Sequence, residues 1–182
     1  MIRAISIRMS PERKEHTISL DEVISNAKEM TLKDGHHTPI LIVEGSKNLI
    51  VSQFQEISET HGERIELMRF AGQAVAKSGR VGKLEQVFFI SEGWMSVAKE
   101  DKPPNMKSSD DPNRKEVLII SGLQIKERKR TIKLFEMVRD QNDHVVSLPE
   151  ISPPQAREDK VEVPLLDAFA QGFQLAFLAR VN

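Results

Sequence analysis

Two hydrophobic periods run along this chain, and the places where one gives way to the other mark its elements. Leu20, Val23, Ile24, Ala27 and Met30 recur at helical spacing. Ser19 and Glu22 frame their start, so that hydroxyl and carboxylate can each take an exposed amide of the first turn. Gly35 supplies a left-handed stop. The spacing predicts a helix over 20–34. Thr60 and Glu63 repeat the capping pattern before a second helix through 64–78, with Leu67, Phe70, Ala71, Ala74 and Val75 on one side and Gly79 at its end. A third run, Leu165, Leu166, Phe169, Phe173 and Phe177, widened by Ala170, Ala176 and Leu178, predicts a terminal helix over 163–181.

Between the helices the period shortens. "TPILIVEG" and "LIVSQF", separated by "SKN", predict a hairpin of strands 40–44 and 48–54. Further strands are expected at 85–97, 115–124, 131–139 and, more weakly, 144–148, and residues 1–9 alternate as a short strand or arm. "VFFI" and "VLII" are apolar on both faces, which suits central strands covered on both sides. Lys133, Glu136, Arg139 and Pro149 place the last two strands at the sheet edge, where charges and a missing donor are tolerated.

The order helix, hairpin, helix, meander, helix predicts an α+β fold. Its mainly antiparallel sheet would have five to six strands, with helices on both faces. In element order it is similar to the roadblock/longin-like and profilin-like sandwiches, a resemblance that implies a five-stranded antiparallel sheet with helices on both faces. Residues 1–182 are expected as one domain, with a long polar loop at 99–113 and a linker at 152–162 before the last helix.

Composition narrows the function classes. The 182 residues carry 26 basic and 27 acidic side chains, a net charge of −1. That balance gives no global field to draw the chain to nucleic acid or an acidic membrane. Cysteine is absent, which rules out disulfides, thiolate metal sites and cysteine nucleophiles, and fits a cytosolic protein. The N-terminus lacks the apolar stretch of a signal peptide. The most apolar segment is interrupted by Asp167, Gln171 and Gln174, so it reads as a buried helix and not a membrane span.

Known motifs fail when tested. "KSGRVGKL" (77–84) lacks the first glycine and the Ser/Thr of a phosphate loop, and it runs from helix to strand. The five histidines, His16, His36, His37, His61 and His144, form no metal-ligating spacing. His36 and His37 read as solvated side chains beside a helix C-terminus. No metal or cofactor is expected.

Two features remain. In "VFFISEGWM" strict alternation puts Glu92 and Trp94 on the face of Phe88 and Ile90, and Ser91 on the other. A carboxylate at that edge of the core either finds a cation or has a raised pKa and becomes a candidate acid or base. Glu92 is therefore the candidate catalytic residue, with Trp94 and Ser91 as candidate ligand contacts beside the 99–113 loop. The basic turn "KERKR" offers Lys126, Arg128, Lys129 and Arg130 as candidate phosphate contacts, without the interleaved aromatics that single strands favour. The reading that follows is a cytosolic binding or interaction domain, able to self-associate through the terminal helix or an edge strand. An acid–base enzyme using Glu92 and a nucleic-acid accessory module using the basic turn are its alternatives.

Overall fold

A computed structural model describes residues 6–9, 17–96, 110–151 and 161–181. The elements are β1 (Ser6–Met9), α1 (Leu20–Asp34), β2 (Ile40–Gly45), β3 (Leu49–Gln53), α2 (His61–Ser78), β4 (Leu84–Met95), β5 (Lys115–Gln124), β6 (Lys129–Glu136), β7 (Val138–Arg139), β8 (Val145–Ser147), β9 (Glu150–Ile151) and α3 (Pro164–Val181).

The fold is α+β, and the main sheet is antiparallel throughout, in the order β1-β3-β2-β4-β5-β6-β9. It has six strands, or seven with the two-residue β9. Residues 138–139 and 145–147 form a separate two-stranded sheet. The strand expected over 131–139 thus ends at Glu136, and 145–147 does not edge the main sheet. The Met137 N–H still reaches the Glu116 carbonyl (2.9 Å) in register with the β5–β6 ladder, and beyond it Val138 and Arg139 pair with residues 145–147 instead.

The pairing explains why helices lie on both faces. β1 and β2 are parallel with β3 between them, joined through α1. β3 and β4 are parallel with β2 between them, joined through α2. Both crossovers step the same way across the sheet but start from oppositely directed strands. Two crossovers of one hand must then place their helices on opposite faces, which is what the strong handedness preference of such connections demands. Val23 and Ala27 of α1 accordingly pack with Ile42, Phe88, Ile90, Leu118, Ile120 and Phe135. On the other face Met68 and Ala71 of α2 and Leu166, Phe169 and Phe173 of α3 pack on Leu41, Val43, Val87, Phe89 and Leu123.

α1 keeps its predicted bounds because both caps form. Ser19 Oγ accepts the Glu22 amide, Glu22 accepts the Ser19 amide (2.7 Å), and Gly35 at φ 74° donates to Thr31. Its buried stripe is Val23, Ala27 and Thr31, while Met30 is exposed. Thr31 tolerates full burial because its hydroxyl donates to the Ala27 carbonyl (2.8 Å). At α2 the second capping box closes only halfway. Thr60 accepts from the Glu63 amide, but its own amide goes to Ser58.

α2 is also rotated from the expected face. Its buried residues are Met68, Ala71, Gly72 and Ala76, whereas Phe70 and Ala74 face solvent. The reason is α3, which approaches so closely that a methyl group on Gly72 would overlap the Phe169 carbonyl and lie 2.8 Å from the Phe173 nitrogen. Gly172 meets the Arg69 carbonyl in the same way. Two glycines let the backbones touch, and the helices bury that seam in preference to Phe70.

Candidate functional site

Glu92 lies on β4 opposite Leu118, on the α1 face and at the rim of the apolar cluster. Its Oε1 accepts the main-chain N–H of His37, just beyond the C-cap of α1. Burial raises the Glu92 pKa above its ordinary range. The His37 amide opposes that shift, neighbouring Glu116 adds to it, and His36 and Arg139 oppose it.

Glu116 and Arg139 close the cluster. Arg139 Nε and Nη2 donate to the two Glu116 oxygens at 2.7 and 2.8 Å, and Nη1 donates to the Asp143 carbonyl (2.9 Å). This fork, only about a fifth exposed on each side chain, ties the β7–β8 hairpin to β5. Glu116 holds the Arg139 pKa above its usual value.

His37 departs from its expected place in solvent. It is 4% exposed, and neither ring nitrogen has a hydrogen-bond partner among the described residues. Burial lowers its pKa, with the Thr38 main chain offsetting part of the effect. His36, its neighbour, is exposed and contacts the Asp34 carbonyl (2.9 Å).

Trp94 is 47% exposed, and the Arg114 guanidinium sits 4.5 Å from its ring centroid. It stands opposite Glu116 on the same face as Glu92. Ser91 points the other way, so the fold brings Glu92 and Trp94 together and leaves Ser91 out. Most of the 99–113 loop expected beside them falls outside the described residues.

A second buried polar group lies nearer the sheet's β1 side. Glu44 and Gln86 pair across β2 and β4 at 2.6 Å, and together they bind the Ile18 N–H (3.2 Å) and C=O (2.7 Å). They hold the segment that leads into α1. A carboxylate inside "ILIVEG" was the visible signal for this pair.

The basic turn is at the other end of β5 and on the α3 face. Lys126, Arg128, Lys129 and Arg130 do share it, but Lys129 and Arg130 already belong to β6. Arg130 is engaged by Asp167 of α3, at 2.9 Å from Nη2. Between the turn and α3 runs an open groove of about 480 Å³ lined by Leu123, Gln124, Ile125, Arg128, Arg130, Asp167, Ala170, Gln171 and Gln174. Arg128 and the three glutamines have no side-chain hydrogen bond or ion pair among the described residues. The groove went unpredicted because its walls come from segments about forty residues apart that no local pattern relates.

A family model described as bacteriophage lambda protein ea47 matches residues 4–174. The chain belongs to that family. No curated protein and no solved structure matches it. The ea47 match spans the whole Glu92 cluster and every residue lining the groove, and stops short of Leu175 and Leu178 on α3. Among the described residues no helix of this ea47-family chain is long and apolar enough to cross a membrane, and no group of three or more His, Asp or Glu side chains is placed to hold a metal.

Proposed function

We propose that this ea47-family chain is a cytosolic binding module whose contact surface is the groove between the β5–β6 turn and α3. The observation that carries this reading is the convergence of Arg128, Gln124, Gln171 and Gln174, whose side chains have no partner among the described residues, on an apolar floor in a groove of about 480 Å³. A few polar groups around an apolar floor, in a volume of this order, are what small-ligand and peptide sites use. The Glu92 end of β4, by comparison, has its strong groups turned on each other: Glu92 takes the His37 amide and Glu116 takes Arg139.

The test is an NMR titration of the labelled protein with a panel of amino acids, dicarboxylates and short peptides. Shifts in the side-chain amides of Gln124, Gln171 and Gln174 support the groove. A panel that moves none of them rejects it.

One observation favours a second reading. Burial raises the Glu92 pKa two residues along the strand from half-exposed Trp94, the condition under which a carboxylate serves as general acid or base. Perturbations confined to the Trp94 indole and the Glu92 neighbourhood in the same titration would select this enzyme reading.

A further inference from the structure

The chemistry around the groove narrows what it takes. We propose that it docks an acidic, leucine-bearing peptide segment of a partner protein, with the carboxylates at the β5–β6 turn and the apolar side chains along α3. This rests on the binding reading above and gives it a ligand.

Charge sets one end. Arg130 is neutralised by Asp167, so it contributes a fixed wall and little net charge. Lys126, Arg128 and Lys129 have no ion pair among the described residues, and Glu127 is the only acid within the turn. Arg128 holds a left-handed backbone, φ 50°. Glycine or asparagine adopts that conformation at lower cost, yet the position carries a groove-lining cation that has no ion pair among the described residues. A guanidinium so placed suits a carboxylate.

The middle is written in amides. Gln124 from β5 and Gln171 and Gln174 from α3 each offer donors and an acceptor, the complement of a peptide's own N–H and C=O groups. Leu123, Ile125 and Ala170 give an apolar floor.

The far end is apolar. Gln171, Gln174, Leu175 and Leu178 follow the i, i+3, i+4, i+7 spacing of one helical stripe, so the groove wall continues into Leu175 (64% exposed) and Leu178 (52% exposed). The stripe runs about 10 Å along the helix, from the rise per residue. Nucleic acid fits less well, because no aromatic side chain lines the groove for a base to stack on.

Fluorescence anisotropy tests this with three labelled probes: a short alternating Glu/Leu peptide, its Lys/Leu counterpart and a single-stranded DNA. Arg128→Asn removes the charge while suiting the left-handed turn, and Leu175→Ser changes an exposed position. Circular dichroism checks both folds. The acidic peptide should bind saturably, with affinity falling about tenfold in Arg128→Asn, as for loss of a charge-assisted contact, and severalfold in Leu175→Ser. Equal binding of the lysine peptide, preference for DNA, or indifference to Arg128→Asn overturns the proposal. So does a dimer in light scattering that Leu175→Ser abolishes and Arg128→Asn does not, which would assign the face to a second copy. If other molecules shift the groove glutamines in the NMR titration while the acidic peptide does not bind, only this ligand falls. If nothing shifts them, the binding reading falls with it.

Discussion

The carboxylate of Glu92 accepts the main-chain N–H of His37, a bond between residues 55 positions apart. It fixes the exit of α1 to the end of β4, where the strand leaves the core. Two groups with pKa values displaced in opposite directions thus meet at one joint. Glu92 is raised and His37 lowered, both chiefly by burial.

Glu92→Gln keeps an acceptor for the His37 amide and removes the buried charge. Because the folded pKa lies above the ordinary 4.5, the native state holds its proton more tightly than the unfolded chain. Wild-type stability therefore declines as pH rises from 4.5 through the folded pKa, and this contribution is absent in the glutamine variant. Urea denaturation should find Glu92→Gln at least as stable as wild type at pH 7, with the difference shrinking toward pH 4.5. Glu92→Leu should lose about 1–3 kcal/mol, the cost of orphaning a buried donor. Equal losses in both variants would mean the charge itself stabilises the joint.

His37 titrates with the opposite sign. Its folded pKa lies below 6.5, so the unfolded chain takes up a proton that the buried ring refuses. Stability contributed above pH 6.5 is lost as pH falls from there toward the folded value. His37→Leu fills a similar volume, removes two unpartnered ring nitrogens and leaves the amide to Glu92 in place. The expected result is a gain of about 1 kcal/mol at neutral pH, from relief of unsatisfied polar burial, and a flatter profile below pH 6.5. Retention of the wild-type slope would assign it to another group.

Trp94 is the only tryptophan, and its position makes it a reporter more than an anchor. Nearly half exposed and covered by Arg114, it should cost about 1–3 kcal/mol on replacement by alanine, from its half-buried apolar area and an exposed cation–π contact. Its emission should be open to iodide quenching, and Arg114→Ala should increase that quenching. A loss of several kcal/mol in Trp94→Ala would place the ring in the core.

Much of the framework was legible because it is local. Ser19, Glu22 and Gly35 bound α1 by contacts within a few residues, and "VFFI" and "VLII" announced central strands through their own composition. Two errors concern which helix residues are buried, one decided within α1 and one by a distant backbone. Met30 has the better hydrophobic credentials, yet Thr31 is buried because its hydroxyl satisfies itself on Ala27. Phe70 yields its expected place to Gly72 because α3 comes within backbone contact. For the candidate site, alternation correctly put Glu92 and Trp94 together. His37, Glu116 and Arg139 could not be assigned to them, since the joining bonds span 55 and 23 positions. The groove has the same origin, with Arg130 and Asp167 separated by 37.

The seam between α2 and α3 gives the sharpest mutational contrast. Gly72→Ala and Gly172→Ala each push a methyl group into the backbone of the facing helix, where nothing can rotate aside. Relief requires the helices to part, which opens the cluster of Met68, Phe169 and Phe173 on the sheet. Each variant should lose at least 2 kcal/mol, within the range of core overpacking at about 1–3 kcal/mol and above it if α3 undocks. Gly62, in the first turn of the same α2, has nothing within 4 Å of a built Cβ. There alanine restricts the unfolded chain without a clash, and Gly62→Ala should gain about 0.4–1 kcal/mol. Thermal and urea denaturation of the three variants side by side checks the geometry. A mild effect at Gly72 and Gly172 would mean that the two backbones do not touch.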